Sequence, residues 1–283
     1  MNKLLLTYKT PKKQVTIENS YKINIAEKRS GLCNQLWTLV IGLIVCIKQG
    51  KSVLYVGSFL LDINARSFCP IGTILSLPSM NALLTKYNVR IEDRSRIHEG
   101  NTLGLKVLVY GWDILYEPAN IDLKIELFQI IRFSRSIVEP ALKFVNHSQA
   151  NRKKSTINVV HLRIEQDWLN HVSSSRNPRV SPAVVYNEIA DKYINFIQKY
   201  IQRGELTFIL TGSSNNKVMD YLRNNQYTYF LFPKITHNRE MNAAMDMVIG
   251  KICNNVFIGC GGSSFSDILL HRITGDNIQK YLC

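Results

Sequence analysis

The sequence predicts an α/β protein of two domains, the second of them Rossmann-like. Three observations lead there. After residue 156, short β-branched runs alternate with amphipathic segments four times, which calls for a parallel sheet with helices on both faces. Earlier in the chain an apolar stretch at 36–47 lies between two short strand-like runs. The 283 residues are enough for two domains that each bury a core. The expected division is 1–150 and 151–283, because 146–156 is polar and basic and has no face to bury.

In chain order, 21–25 reads as a first strand. Arg29 to Gln35 then forms a turn in which Gly31 permits a tight backbone. The residues that follow, to Lys48, are apolar on nearly every face, which predicts a central buried helix; Gly50 stops it and 52–57 returns as a buried strand. The stretch 62–99, with Pro70 and Pro78, reads as irregular. Residues 106–110 form another strand, and 121–144 is mostly helix with a turn near Pro140.

The second half is clearer. Residues 157–162 are a strand, and Ser181-Pro182 starts a long helix running to about Gln202. A strand at 206–210, a helix ending near Asn224, a strand at 228–232 and a helix over 239–252 follow. A strand at 256–259 and a last helix to about His271 complete the alternation.

With 46% apolar and 20% charged residues, the composition is globular rather than disordered or fibrous. The net charge of +14 favours anionic partners. Six scattered cysteines without Cys-x-x-Cys pairs predict free thiols and no zinc site. The leucine run near the N-terminus is too short for a signal-peptide core, and 36–47 is shorter than the roughly 20 residues that span a bilayer, so a cytoplasmic protein with no transmembrane segment is expected.

Ligands of open α/β sheets bind beyond the carboxyl ends of strands. Three such loops share one edge here: 163–168, 211–214 and 260–265. At the first, His161, Arg163, Glu165 and Asp167 cluster; Arg163 has the donor fork to hold a phosphate, or else forms a structural ion pair with Glu165 or Asp167. At the last, Gly261, Gly262, Ser263 and Ser264 open a helix, so amides, hydroxyls and a helix dipole converge as a phosphate cradle. Neither Gly-x-Gly-x-x-Gly nor Gly-x-x-x-x-Gly-Lys-Ser/Thr occurs, which weakens dinucleotide and P-loop readings. No Asp-x-Asp occurs either, so arginine and amides, with no metal, are expected to neutralise a leaving diphosphate.

These residues carry a family resemblance. His161-Leu162-Arg163-Ile164-Glu165-Gln166-Asp167-Trp168 resembles the His-Leu-Arg-Ile-x-x-Asp-Trp motif of protein O-fucosyltransferases. Gly31-Leu32-Cys33-Asn34-Gln35 is similar to their Gly-x-x-Asn-Gln turn. Phe257-Ile258-Gly259 followed by Ser263-Ser264-Phe265 is similar to their Phe-Ile-Gly and Ser-Ser-Phe. The resemblance implies the GT-B architecture, two Rossmann-like domains facing across a cleft. It also implies an inverting, metal-independent glycosyltransferase that moves a sugar from a nucleotide-diphosphate donor, GDP-fucose, to a hydroxyl of a glycan or glycoprotein. By the same resemblance Arg163 binds the β-phosphate, Ser263, Ser264 and Phe265 line the diphosphate pocket, and Gly31 and Asn34 face the cleft from the first domain. His161 lies at the nucleotide, Asp246 approaches its base, Asp167 holds Arg163 or His161, and Ser213 belongs to the donor-side loop.

Gly212 departs from the acidic residue that this family commonly carries there, which opens the choice of base and sugar; UDP-xylose is the alternative donor. The missing secretory signal fits a cytosolic glycan-building enzyme, such as one that a large virus encodes to decorate its coat. For the general base, Asp113 and Glu27 are the candidates on the acceptor side. A basic nucleic-acid-binding protein is the other alternative, from Tyr193, Phe196 and Tyr200 among the lysines of 192–203. Their helical period argues instead for core positions, so the expected partners are a donor and an acceptor rather than nucleic acid.

Overall fold

The computed structural model describes residues 19–26, 31–62, 66–94, 106–107, 112–150, 156–176 and 180–283. The first half runs β1 (Ser20–Ile23), α1 (Leu32–Lys48), β2 (Val53–Val56), a hairpin of β3 (Phe59–Asp62) and β4 (Ser67–Cys69), α2 (Ile71–Ile74) and α3 (Leu77–Leu84). It continues through β5 (Arg90–Asp93), β6 (Lys106–Val107), α4 (Ile121–Ile130) and α5 (Arg135–Gln149). Strands β5-β2-β1-β6 form a parallel sheet. Gly50 ends α1 as expected, in the left-handed region at φ 62°.

The second half runs β7 (Ile157–Leu162), α6 (Gln166–Arg176), α7 (Pro182–Tyr200), β8 (Leu206–Thr211), α8 (Lys217–Asn224), β9 (Tyr229–Leu231), α9 (Arg239–Gly250), β10 (Val256–Gly259), α10 (Ser264–Arg272) and β11 (Gln279–Leu282). Its strands are all parallel, in the order β11-β10-β7-β8-β9. Because strand side chains alternate, β7 sends Val160 and Leu162 to one face, under Val185, Ile189, Tyr193 and Ile197 of α7. Ile157 and Val159 go to the other face. There they join Phe208, Phe257 and Leu269 in a core continuous with Leu36, Ile41 and Leu43 of α1. Helix α1 packs on α4, α9 and α10 as well as on its own sheet, which explains why it is apolar all round.

Several expectations are corrected. The 62–99 stretch is ordered in its described parts: Pro78 lies in the first turn of α3, where its missing N–H costs nothing. Asn81 hydrogen-bonds both the N–H (2.7 Å) and the carbonyl (2.9 Å) of Ile91, so the polar run Arg90–Asp93 pairs as an edge strand. Pro140 sits inside α5, and the break comes instead between Ile130 and Arg135. The buried Arg272 donates there to the carbonyls of Phe128 and Ile131, both at 2.9 Å. The stripe Ile137, Ala141 and Val145 holds α5 together, and the helix carries on through Asn146 to Gln149, into the stretch expected to divide the halves. Residues 166–168 belong to a helix rather than a loop, and β11 adds a strand that the pattern did not indicate. Tyr193 is buried as expected, but Phe196 and Tyr200 are half-buried; Tyr200 stacks on Tyr281 of β11, and Phe196 meets the same ring at a tilt. Residues 108–110 of the strand expected at 106–110 lie outside the described residues.

Since one core crosses both halves, unfolding should be cooperative. Urea curves from a variant retaining only Trp37, in α1, and another retaining only Trp168, in α6, should share one midpoint once each is referenced to its own circular-dichroism curve. Separated midpoints would mean that the halves unfold independently.

Candidate active site

The carboxyl end of β7 is clamped from behind. The Tyr193 hydroxyl donates to the His161 carbonyl at 2.6 Å and accepts the Arg163 N–H at 3.3 Å, so α7 holds the backbone on both sides of Leu162. His161 is buried and stacks on Phe265, with ring centroids 4.3 Å apart. Its Nδ1 lies 2.7 Å from Oγ of Ser266, which itself accepts the Cys260 N–H at 2.8 Å. Donation from the Ser266 hydroxyl to Nδ1 gives that buried proton an acceptor and leaves the imidazole proton on Nε2. Burial first, and the Arg163 charge second, push the His161 pKa down to about 3, so the ring is neutral.

Arg163 forms the ion pair that the sequence offered as the alternative to a phosphate contact, and it does so with both candidate partners. Its guanidinium donates to Glu165 at 2.7 Å and to both oxygens of Asp167 at 2.8 and 3.4 Å, and it lies over the Trp168 ring. The carboxylates raise its pKa despite burial. A guanidinium has five N–H donors, so this clamp aims the group without exhausting it. The other oxygen of Glu165 accepts the Gly212 N–H at 2.8 Å, and a Cβ at position 212 would stand 2.6 Å from it. A side chain at position 212 would therefore displace the Glu165 carboxylate, which stands where it would begin.

Across from Arg163 is the N-terminus of α10. Gly262 has φ 76°, a conformation open to glycine, and a side chain there would meet Trp168. Two of the amides expected to be free are tied down: Gly261 N–H bonds to Cys283 O (2.9 Å) and Ser263 N–H to Cys260 O (3.2 Å). Helix geometry leaves the amides of Ser264, Phe265 and Ser266 without intrahelical acceptors, and the Ser263 hydroxyl makes no cap hydrogen bond. The amides without helical acceptors thus lie one step further into the helix than expected.

The first half contributes the N-terminus of α1. Gly31 precedes it and Asn34 lies in its first turn. Gln35 points away from the cleft line and ties α1 to β3, donating to Leu60 O (2.9 Å) and accepting Leu60 N–H (2.8 Å). From α9, the buried Glu240 accepts the Leu32 N–H. Asn238 caps α9 by accepting the N–H groups of Glu240 (3.1 Å) and Met241 (3.2 Å), which sets the position of Glu240. Deeper along α9, burial raises Asp246 to a pKa of about 8, with Lys234 opposing. Lys234 itself donates to Gly212 O at 2.9 Å.

Gly31, Asn34, His161, Arg163, Asp167, Asp246, Ser263, Ser264 and Phe265 all line one cleft of about 820 Å³. That volume suits a small-molecule ligand. Ser213 is not on its wall; Gly212 takes that place, and Ser213 turns back to bond Thr211. Asp113 is exposed on a 3-10 turn at Trp112–Tyr116, off the cleft wall, and Glu27 lies outside the described residues. Sequence reasoning missed Glu240, Lys234, Arg239 and Thr236, which also line the cleft. The only local signal for Glu240 was the Asn238 cap, and nothing in the chain linked it to Gly31. Among the described residues no three His, Cys, Asp or Glu side chains are grouped as metal ligands.

No protein-family model matches this sequence, and no curated protein matches it. Solved structures do. The chain is similar to POFUT1 in complex with GDP-fucose, with a TM-score of 0.61 and 13% identity over 95% of this chain and 98% of that one. It is also similar to the fucosyltransferase NodZ from Bradyrhizobium, with a TM-score of 0.51 and 15% identity over 89% and 93% of the two chains. NodZ alpha-1,6-fucosyltransferase co-crystallized with GDP gives 0.53 and 13%, over 89% and 92%. The fold is GT-B. The similarity runs along nearly the whole of each chain, so both sheets and the cleft between them belong to the shared architecture.

The neutral, buried His161 makes stability depend on pH. Its folded pKa lies below its unfolded value near 6.5, so the stabilisation is full above about pH 6.5 and is lost as pH falls toward 3. The slope is at most about 1.4 kcal/mol per pH unit. His161→Asn should flatten that part of the stability profile, measured by urea unfolding between pH 7 and 4; an unchanged slope would mean that His161 titrates normally.

Proposed function

We propose that this protein is an inverting, metal-independent glycosyltransferase that moves a sugar from a nucleotide-diphosphate donor, GDP-fucose, to a hydroxyl of a glycan or glycoprotein. The observation that supports the reading is that the clamped Arg163 and the first turn of α10 line one cleft, in the fold of proteins solved with GDP and GDP-fucose. Residues 151–283 bind the donor and residues 1–150 present the acceptor.

In this reading the diphosphate lies between Arg163 and the first turn of α10. Arg163, Ser263 and Ser264 donate to it, and the α10 dipole supports its charge. As the bond from the anomeric carbon to the β-phosphate oxygen breaks, negative charge grows on that oxygen. A preoriented guanidinium stabilises it without reorganising. Glu165 and Asp167 are what keep Arg163 in place, so they act through it. Neutral His161 offers Nε2–H to the nucleotide from the pocket wall beside Phe265. Asp246, with its raised pKa, recognises the base as a hydrogen-bonding partner at the β8 side of the cleft, next to Lys234 and Phe232. Asn34 and Gly31 meet the phosphates or the departing sugar from the opposite wall.

The donor is tested by thermal shift and calorimetry with GDP, UDP, GDP-fucose and UDP-xylose, each with and without EDTA. A ligand that binds only the folded chain raises its stability by mass action. Stabilisation by GDP and GDP-fucose, undiminished by EDTA, is expected. Preference for UDP would replace the donor, loss of binding in EDTA would remove metal independence, and no nucleotide binding would reject the reading.

Arg163→Ala should lower turnover at least 10- to 100-fold while the fold remains. A charge-assisted hydrogen bond contributes roughly 1.5 to 3 kcal/mol, and about 1.4 kcal/mol is tenfold in rate. Near wild-type release of GDP from GDP-fucose by this variant would remove the role given to Arg163.

A further inference from the structure

We infer that Glu240, reaching from the second half of the chain to the first turn of α1, is the general base that takes the acceptor's proton. The inference rests on the glycosyl-transfer reading above and adds the group which that reading lacks.

Four carboxylates line the cleft: Glu165, Asp167, Glu240 and Asp246. Glu165 and Asp167 are occupied with Arg163, and a carboxylate that neutralises a guanidinium is a poor proton acceptor. Asp246 lies further along α9, on the β8 side with Lys234, away from the α1 wall. Among the described residues, Glu240 alone of the four hydrogen-bonds to the first half of the chain. One of its oxygens accepts the Leu32 N–H. The other makes no hydrogen bond among the described residues and lies 3.6 Å from where a Cβ of Gly31 would be. Gly31 leaves open the space beside this carboxylate, one turn from Asn34.

The surroundings suit a base. Glu240 sits in the first turn of α9 and at the N-terminus of α1, so two helix dipoles favour its ionised form. The charged groups around it are Arg239 on its own helix, which also favours the carboxylate, and Asp62 of β3, which disfavours it. Burial outweighs these and raises its proton affinity above that of an ordinary glutamate. Arg163 lines the same cleft, and Asp167 bonds it at 2.8 Å while lying 3.8 Å from Arg239, the residue beside Glu240. The base and the group that receives the leaving charge thus stand around one space, as an in-line displacement requires.

In the step, the acceptor O–H bond breaks and its proton goes to the free oxygen of Glu240. The acceptor oxygen bonds to the anomeric carbon, whose bond to the β-phosphate oxygen breaks, and the electron pair leaves with the diphosphate toward Arg163. Glu240 returns its proton to water after product release.

The test is release of GDP from GDP-fucose with water as acceptor, in wild type, E240Q and E240D, beside the GDP-induced thermal shift of each. The glutamine oxygen still accepts the Leu32 N–H, so E240Q should keep its fold and its GDP shift. Its kcat should fall about 100-fold or more, with KM for the donor little changed. Wild-type kcat should decline as pH falls through the Glu240 pKa; E240Q should lack that limb, and E240D should keep it at a reduced rate. E240Q within threefold of wild type, or with the acid limb intact, would overturn the inference while leaving the donor reading in place. Transfer of the missing limb to D246N would do the same. Absence of any GDP shift in the wild type would overturn the donor reading, and this inference with it.

Discussion

The site depends on the burial of α1. This helix is apolar on all sides because it is enclosed by its own sheet, by α4, and by α9 and α10 from the other half. Enclosure of that kind leaves its N-terminus no choice of direction: it must emerge where the strands β7, β8 and β10 end. The amide of Leu32, which has no helical acceptor, then meets a carboxylate, Glu240, supplied by α9. Packing in the core, rather than contacts in the cleft, brings the two walls together.

Within the second half the same logic operates on a smaller scale. Tyr193 is fully buried in the sheet's outer core, yet its hydroxyl holds the backbone that carries His161 and Arg163. Ser266, one turn into α10, orients His161 and at the same time ties the backbone at Cys260. Glu165 joins the Arg163 loop to the Gly212 loop, and Lys234 joins the Gly212 loop to the strand-end segment after β9. Each loop at the sheet edge is fixed by its neighbour, so the cleft wall is held in place without a ligand.

The cleft is not uniformly cationic despite the net charge of +14. Arg163 is balanced by Glu165 and Asp167, and two further acids line the cleft, Glu240 buried and Asp246 half-buried. The directed donors on its wall are the Arg163 guanidinium and the first turn of α10, and the two acids of α9 stand six residues apart along the helix.

The second half was almost fully legible from the sequence because parallel strands buried on both faces must be continuous apolar runs, and caps such as Ser181-Pro182 are local signals. The motif around Arg163, the Gly31-to-Gln35 turn and the Ser263-Ser264-Phe265 run likewise held eight of the expected site residues that line one cleft, and Asp246 of α9 is a ninth. What escaped was whatever depends on a partner distant in the chain. The strand at Arg90–Asp93 exists through its pairing with β2 and through Asn81; the break before α5 coincides with Arg272, about 140 residues away; the place of Glu240 is set by Leu32. The sequence by itself determined the periodic elements and the local motifs, since backbone geometry and burial act over a few residues. Only the tertiary structure decided which carboxylates are spent on Arg163 and which remain open to a substrate, because that depends on distances between side chains that the chain order does not contain.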